Sequence, residues 1–471
     1  MIVKLPISQS IVKAVDEVGL STHGAAMIDC YVDELGNINR RPGYTELCDL
    51  RTSSPVDGLF WWEEKGWAIA VSAGNTYKIT ASNGAKSQIT HDDTDFVSGT
   101  RVTFADFGTD IYAANGGKIK KIPSSGNVTD IADADAPTAV THVAVLDRYL
   151  LANESGTGNF HWSDVNAPTT WGANYAEVEA KKDDLAAMIV ENLEINLLGY
   201  TTLENWYNDG ATPFIRSAQG YVSRGTVAPY SFVWLPAQST FGWLDQNRQV
   251  VILQGRTPVS ISLTMTKYIQ GFSTVDDCIS DYMELTGRPY WVLHFPSEAK
   301  TLVYDFTSAM WYEWGFWDMT VHERWRGNCF CLAPAWNKAL IGDRANGKVY
   351  EIDSTEYDDD GRTMTLLIRT AHYNHGTEAK RKFCNSVTFR LKRTEVVSLD
   401  DTPDLFIYYR DDGDTSWKIG RAVTLQQVGN TEFRGKISRL GSYYSRQWML
   451  TLSDDFPLCL VSMEEDVDIE V

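Results

Sequence analysis

The segment Gly342-Asp343-Arg344-Ala345-Asn346-Gly347-Lys348-Val349 carries the G-x-x-x-x-G-K spacing that opens a phosphate-binding loop. That loop needs Ser or Thr after the lysine to hold a metal, and a helix whose N-terminus faces the phosphates. Here Val349 follows and the next residues alternate like a strand, so a hairpin turn is expected. Glu356-Tyr357-Asp358-Asp359-Asp360-Gly361 imitates the start of a calcium loop, but the twelfth position, where a bidentate Glu is required, is Leu367. A solvated turn between domains is the expectation. His372 and His375 stand three apart with Glu378 nearby, a pair of imidazoles without a third fixed ligand. Asp411-Asp412-Gly413-Asp414-Thr415-Ser416-Trp417 resembles an aspartate-box hairpin, present once and read as turn geometry. Glycoside hydrolysis would need two carboxylates across a cleft, and no spacing singles out such a pair. There is no G-x-S-x-G elbow and no H-E-x-x-H, and none of the eight histidines falls in a nucleophile or metal constellation. No catalytic residue, cofactor site or metal site is assigned.

Aromatic clusters have two readings. Phe60-Trp61-Trp62, Trp311-Tyr312-Glu313-Trp314-Gly315-Phe316-Trp317 and Trp325 are either sugar-stacking platforms or packed cores and subunit contacts. Their place on alternating strand positions favours packing. The seven cysteines (Cys30, Cys48, Cys278, Cys329, Cys331, Cys384 and Cys459) are scattered, odd in number and without a C-x-x-C pair, as expected of buried reduced thiols.

The elements that must carry these residues are strands. The chain has 471 residues, 43% hydrophobic and 12% aromatic, with 16 Trp and 22 Tyr. It is long enough for two or more domains and a sizeable core. Aromatic side chains favour strands over helices. Short apolar runs between turn residues recur from about residue 56: Gly66–Ser72, Asp110–Ala114, Arg148–Ala152 and Pro289–Phe295. One short helix is predicted over Val275–Leu285, where Asp276 and Asp277 would suit a first turn.

A turn followed by an alternating strand repeats at Gly74–Ile79, Gly116–Ile122 and Gly347–Ile352, with a fourth copy at Lys300–Phe306. Self-similarity of this kind in an all-β chain predicts a β-propeller, with about six or seven blades of roughly 40 to 50 residues over 56–360. The stretch 185–270 repeats poorly. After the acidic run at 353–361 the strands lengthen (Met364–Ala371, Cys384–Lys392, Leu405–Tyr409, Gln447–Leu452), which predicts a C-terminal β-sandwich over 361–471. Residues 1–55 are expected to be an N-terminal arm with a lead-in strand that helps close the first sheet.

The charge narrows the function. With 42 Lys+Arg against 62 Asp+Glu the net charge is −20, which excludes ordinary nucleic-acid wrapping, because that draws on clustered cations. A surface past which DNA slides without sticking stays open. No apolar run approaches the ~20 residues of a membrane span, and the start lacks the apolar core of a signal peptide, so synthesis in a cytoplasm is expected.

Four stretches, in order, resemble the packaged-DNA stabilisation proteins that form the tail hub, or nozzle, of short-tailed bacteriophages. They are Asn37–Tyr44 with its Arg41-Pro42-Gly43; Leu146–Leu150, Phe160–Asp164, Trp171 and Leu197–Gly210; Val292–Pro296, Leu302–Asp305, Trp314, Ile341–Asp343 and Gly347–Tyr350; and Leu405–Tyr409, Asp412-Gly413 and Ser438–Gly441. The first 36 residues match only in length and position. The resemblance implies a virion part and not an enzyme: a homohexameric ring below the portal and its adaptor, which seals the channel after packaging, stabilises the genome and forms part of the ejection conduit. It implies as partners the portal-adaptor proteins, tailspike, fibre or needle proteins, and double-stranded DNA passing without sequence-specific contact. It implies no cofactor, and a location in the phage tail after synthesis in the bacterial host. The alternative carried forward is a glycan-binding or glycan-cleaving propeller, a receptor-recognition protein.

Overall fold

The computed structural model describes residues 1–8, 25–178, 181–210, 213–317, 322–392, 403–425 and 432–470. About 55% of the chain is strand and 3% helix. Six four-stranded antiparallel sheets form blades: blade 1 (56–89), blade 2 (103–130), blade 3 (143–177), blade 4 (185–222), blade 5 (233–260) and blade 7 (327–353 with 43–49). The four strands of 279–313 fill the sector between blades 5 and 7, and we call them blade 6. They belong to a nine-stranded sheet that runs on into the C-terminal region.

Tight turns explain why the chain meanders. The two-residue loops Ala73-Gly74, Asp147-Arg148, Asn192-Leu193 and Thr286-Gly287 all have positive φ at both positions, the geometry whose twist matches that of the flanking strands. The helix expected over Val275–Leu285 is not formed. Ile279–Leu285 is instead the first strand of blade 6, paired through Thr286-Gly287 with Arg288–Phe295. Its alternation of Ser280, Tyr282 and Glu284 on one face with Ile279, Asp281, Met283 and Leu285 on the other fits a pleat, and the ladder with Arg288–Phe295 pairs its backbone along one edge.

Apolar clusters fill the joints between blades. Ile69 and Val71 of blade 1 pack with Ile111 and Ala113 of blade 2, and an equivalent group lies at each joint round to blade 7, where Cys329 and Leu340 meet Val56 and Ala68 of blade 1. Such joints tolerate little extra volume. A Cβ on Gly242 of blade 5 would lie 2.5 Å from the Trp291 ring of blade 6, so that position must stay bare for the tryptophan to fill the joint.

The ring closes with a strand from before the propeller. Gly43–Asp49 pairs antiparallel with Lys348–Asp353 as the outer strand of blade 7, so the expected lead-in strand closes the last sheet and not the first. The preceding strands join the C-terminal region. Cys30–Val32 and Ile38–Arg40 lie in one sheet with Cys459–Ile469, Lys382–Lys392 and Glu432–Ser438. Ala26–Ile28 lies between Met310–Glu313 of blade 6 and Leu366–Arg369, joining blade 6 to Arg446–Leu452, Asp404–Asp411 and Lys418–Thr424. The two sheets bury Phe389, Leu460 and Met463 against Ile368, Ile407 and Trp448, as a sandwich does.

Candidate functional site

The first strands of the blades (Val56–Trp62, Thr103–Asp106, Val143–Leu146, Leu185–Glu191, Val233–Leu235, Ile279–Leu285 and Gly327–Ala333) stand round the propeller axis. Polar residues lie within two positions of where several of them begin, and the ring brings these together: Asp57, Arg101, His142, Asp281 and Asn328. Arg101 reaches across from blade 2. Its Nη2 donates to Asp281 Oδ1 of blade 6 at 2.5 Å and its Nη1 to the Asn328 carbonyl of blade 7 at 2.8 Å. Burial weakens the Arg101 charge, but Asp281 more than offsets this and holds it above its ordinary range.

Asp57 accepts from the Gly99 amide at 3.0 Å, and burial pushes its carboxyl up to about 6. His142 stacks on Tyr230, ring centroids 5.3 Å apart, and burial lowers its imidazole to about 4. His294 is fully buried behind Asp281 and is held well below its usual range by burial and by Arg324 and Arg101. Both imidazoles are therefore neutral near pH 7.

Beneath this closure lies a cavity of about 470 Å³, walled by Phe60, Val102, Val143, Met188 and Phe232, with Arg101, His142, Tyr230 and Ser280 at its polar end. The Thr141 hydroxyl lies 3.0 Å from His142 Nδ1. Arg101 and Asp281 neutralise one another, so the arrangement plugs the axis. A DNA duplex, whose major groove alone is about 12 Å wide, cannot thread a propeller whose axis is bridged by one side chain.

Apart from Phe60, which walls the cavity, the residues singled out by sequence lie elsewhere. Gly342–Lys348 is the hairpin between Lys338–Asp343 and Lys348–Asp353, and Lys348 Nζ pairs with Glu46 at 2.7 Å and Asp360 at 2.9 Å. The acidic run is not simply solvated. Asp359 is buried and accepts both Nη atoms of Arg41, at 2.8 and 3.0 Å. His375 Nε2 meets the Tyr443 hydroxyl at 2.8 Å and Glu465 at 3.1 Å, and no group of three metal-ligating side chains occurs among the described residues. Asp411 pairs with Arg446 at 2.6 Å, while Asp412 accepts the amides of Tyr444 and Ser445, so the Asp-Gly hairpin is held as a turn. Trp62, Trp311, Trp314 and Trp325 are buried, Phe60 and Trp61 partly so, and the side chain of Trp317 lies outside the described residues. All seven cysteines are buried thiols.

The axial residues escaped sequence reasoning because they are dispersed over 270 positions and belong together only once each blade's first strand is known. Their one signal is a polar residue at the edge of each apolar run.

Residues 33–357, more than half of the chain, match the family described as Phage_stabilise: Bacteriophage P22 Gp10, beta-propeller. No curated protein matches. Among solved structures, the extracellular domain of a one component system from B. thetaiotaomicron aligns at 10% identity and a TM-score of 0.44, over 88% of this chain and 60% of that one. A structure described as a 6-phosphogluconolactonase from Bacteroides uniformis aligns at 8% identity and a TM-score of 0.39, over 63% of this chain and 87% of that one. PorZ of Porphyromonas gingivalis aligns at 12% identity and a TM-score of 0.38, over 73% of this chain and 44% of that one.

Proposed function

The chain belongs to the phage-stabilisation family of Bacteriophage P22 Gp10 β-propellers, and on that footing we propose that it is a subunit of the tail hub of a short-tailed phage. In this reading six copies form a ring below the portal and its adaptor, close the channel after packaging, stabilise the packaged genome, carry it at ejection and dock the distal tail parts. The observation that carries the reading is the family match over 33–357.

The geometry of the axis supports it. Because Arg101 bridges each propeller from blade 2 to blades 6 and 7, a conduit has to be the hole between copies. Copies placed head to tail close into a ring if the rotation closes, and each contact needs about 1,000 Å² or more to be specific. The test is sedimentation velocity of the purified chain, alone and with the portal-adaptor complex from the same genome. Six copies per complex are expected; no association, in a buffer where the other tail parts assemble, sinks the proposal.

A further inference from the structure

A second concave site lies away from the axis, at the joint of blades 4 and 5. It is a cavity of about 320 Å³, at the small end of ligand pockets. The loops that rim it are the Asn192-Leu193 turn of blade 4 and, on blade 5, the Gln238-Ser239 and Gly255-Arg256 turns. Its floor combines two amides with an aromatic pair. Trp234 and Phe241 face each other across neighbouring strands with ring centroids 4.8 Å apart, and Trp234 stays partly open. Asn205 Nδ2 donates to Asn196 Oδ1, and Asn196 is itself tied to the carbonyls of Ile189 and Glu194. Asn205 as a residue is 9% exposed, and its side-chain oxygen accepts no hydrogen bond among the described residues. Gln238 and Gln254 stand exposed at the rim.

The chemistry is specific. Most polar groups here are neutral amides, each able to donate and accept, beside one partly open indole face. Glu194 and Arg256 are the charged members, of opposite sign and both at the exposed rim, so neither an anion nor a cation is favoured. An apolar peptide would cover the Asn205 side-chain oxygen without offering it a donor, at a cost of about 1–3 kcal/mol. A ligand with many uncharged hydroxyls and one apolar face satisfies the whole floor.

We propose that the blade 4–5 groove binds a neutral saccharide, with one ring against Trp234 and its hydroxyls on Asn205, Gln238 and Gln254. This goes beyond the ring proposal and does not depend on it.

The experiment titrates the full chain with a panel of neutral di- to tetrasaccharides of glucose, galactose, mannose and rhamnose, and with acidic oligosaccharides of the same lengths. It is read by tryptophan fluorescence and saturation-transfer NMR. Saturable binding of at least one neutral member is expected. Trp234→Ala should weaken it about tenfold or more, as truncation of an aromatic anchor does. The rim pair Gln238→Ala with Gln254→Ala, exposed and thus harmless to folding, should weaken it several-fold with the thermal midpoint unchanged. The proposal is overturned if no neutral member binds, if acidic members bind better, or if binding survives both sets of substitutions. Association of Trp234→Ala with the portal-adaptor complex, measured alongside, keeps this outcome separate from that of the ring proposal.

Discussion

Arg41 spends all five of its N–H donors inside the protein. Nε donates to Asp29 at 2.7 Å, Nη1 to Asp359 and the Pro42 carbonyl, and Nη2 to Asp359 and the Gly315 carbonyl. Burial opposes this charge, but Asp359 and Asp29 override it. One guanidinium thus ties the bend at Asp29 to the Gly315 backbone just after blade 6 and to the acidic run after blade 7. Replacing a buried ion pair as a unit is often tolerated, whereas removing one partner strands the others. Arg41→Met should therefore cost about 3–5 kcal/mol, read as a shift in the denaturant midpoint. Arg41→Lys should recover only part of it, because an ammonium cannot form the two-pronged contact with Asp359. Equal stability of the Met variant and the natural protein would refute this role. His142 supplies the pH counterpart. Its folded pKa lies at about 4, against 6.5 for a free imidazole, because burial penalises the charge. The unfolded chain therefore binds the extra proton between these values, and stability falls as pH drops from about 6.5 to 4. His142→Phe, which keeps the stack on Tyr230, should flatten that part of the stability profile; urea midpoints every half unit of pH would reveal an unchanged slope if the imidazole were irrelevant.

At the scale of elements, closure of the ring depends on a strand that comes from outside the repeat. Gly43 begins it, and a Cβ there would stand 2.0 Å from the Asp358 carbonyl oxygen, a backbone atom that cannot swing away. Gly43→Ala should loosen the pairing of Gly43–Asp49 with Lys348–Asp353 at a cost of about 1–3 kcal/mol. The amides of Lys348–Asp353 should then exchange faster than those of blades 2 and 3; uniform exchange across the blades would argue that the strand is not the closure point. Strand content was legible where the local pattern sufficed. The runs read from sequence at Gly66–Ser72, Asp110–Ala114, Arg148–Ala152 and Pro289–Phe295 correspond to second strands of blades, and the repeated segments at Gly74–Ile79, Lys300–Phe306 and Gly347–Ile352 to third strands, whereas Gly116–Ile122 meets its third strand only from Lys120. These inner strands are covered on both faces and so carry dense apolar patterns. Blades 4 and 5 fall in the stretch that repeats poorly, because joints filled by Trp206, Phe232 and Trp243 accept different residue types provided the volume is right. The closing strand was placed with the wrong sheet because its partner lies some 300 residues on, a distance no local pattern spans. Asp57, Arg101 and Asp281 illustrate the same limit for the site: only the closed ring makes neighbours of them.

Over the whole molecule, charge decides what the surface can do near DNA. Among the described residues eleven carboxylates and seven Lys or Arg side chains are buried. Burial thus consumes both signs, and the net charge of −20 leaves the exterior acidic. Several outward cations are also spoken for: Lys348 by Glu46 and Asp360, Lys418 by Asp411 and Asp414, Lys338 by Glu351. Duplex binding without sequence preference draws its affinity from cations that displace counterions, at Kd values typically near 10⁻⁴–10⁻⁶ M in physiological salt. With a net charge of −20 and these cations paired, the chain should bind a duplex more weakly than that even at about 50 mM salt, where the Debye length grows and electrostatics count most. Filter binding of a short duplex to the chain, alone and in its assembled form, should therefore detect no retention at micromolar protein. The contrast with a conventional DNA-binding surface lies in the salt dependence. Micromolar affinity that falls steeply with added salt would reveal a basic track between copies and remove the case for a repelling wall. Its absence would mean that DNA passing through the proposed ring meets like charge, and within roughly 8–10 Å of the surface that repulsion favours release over retention.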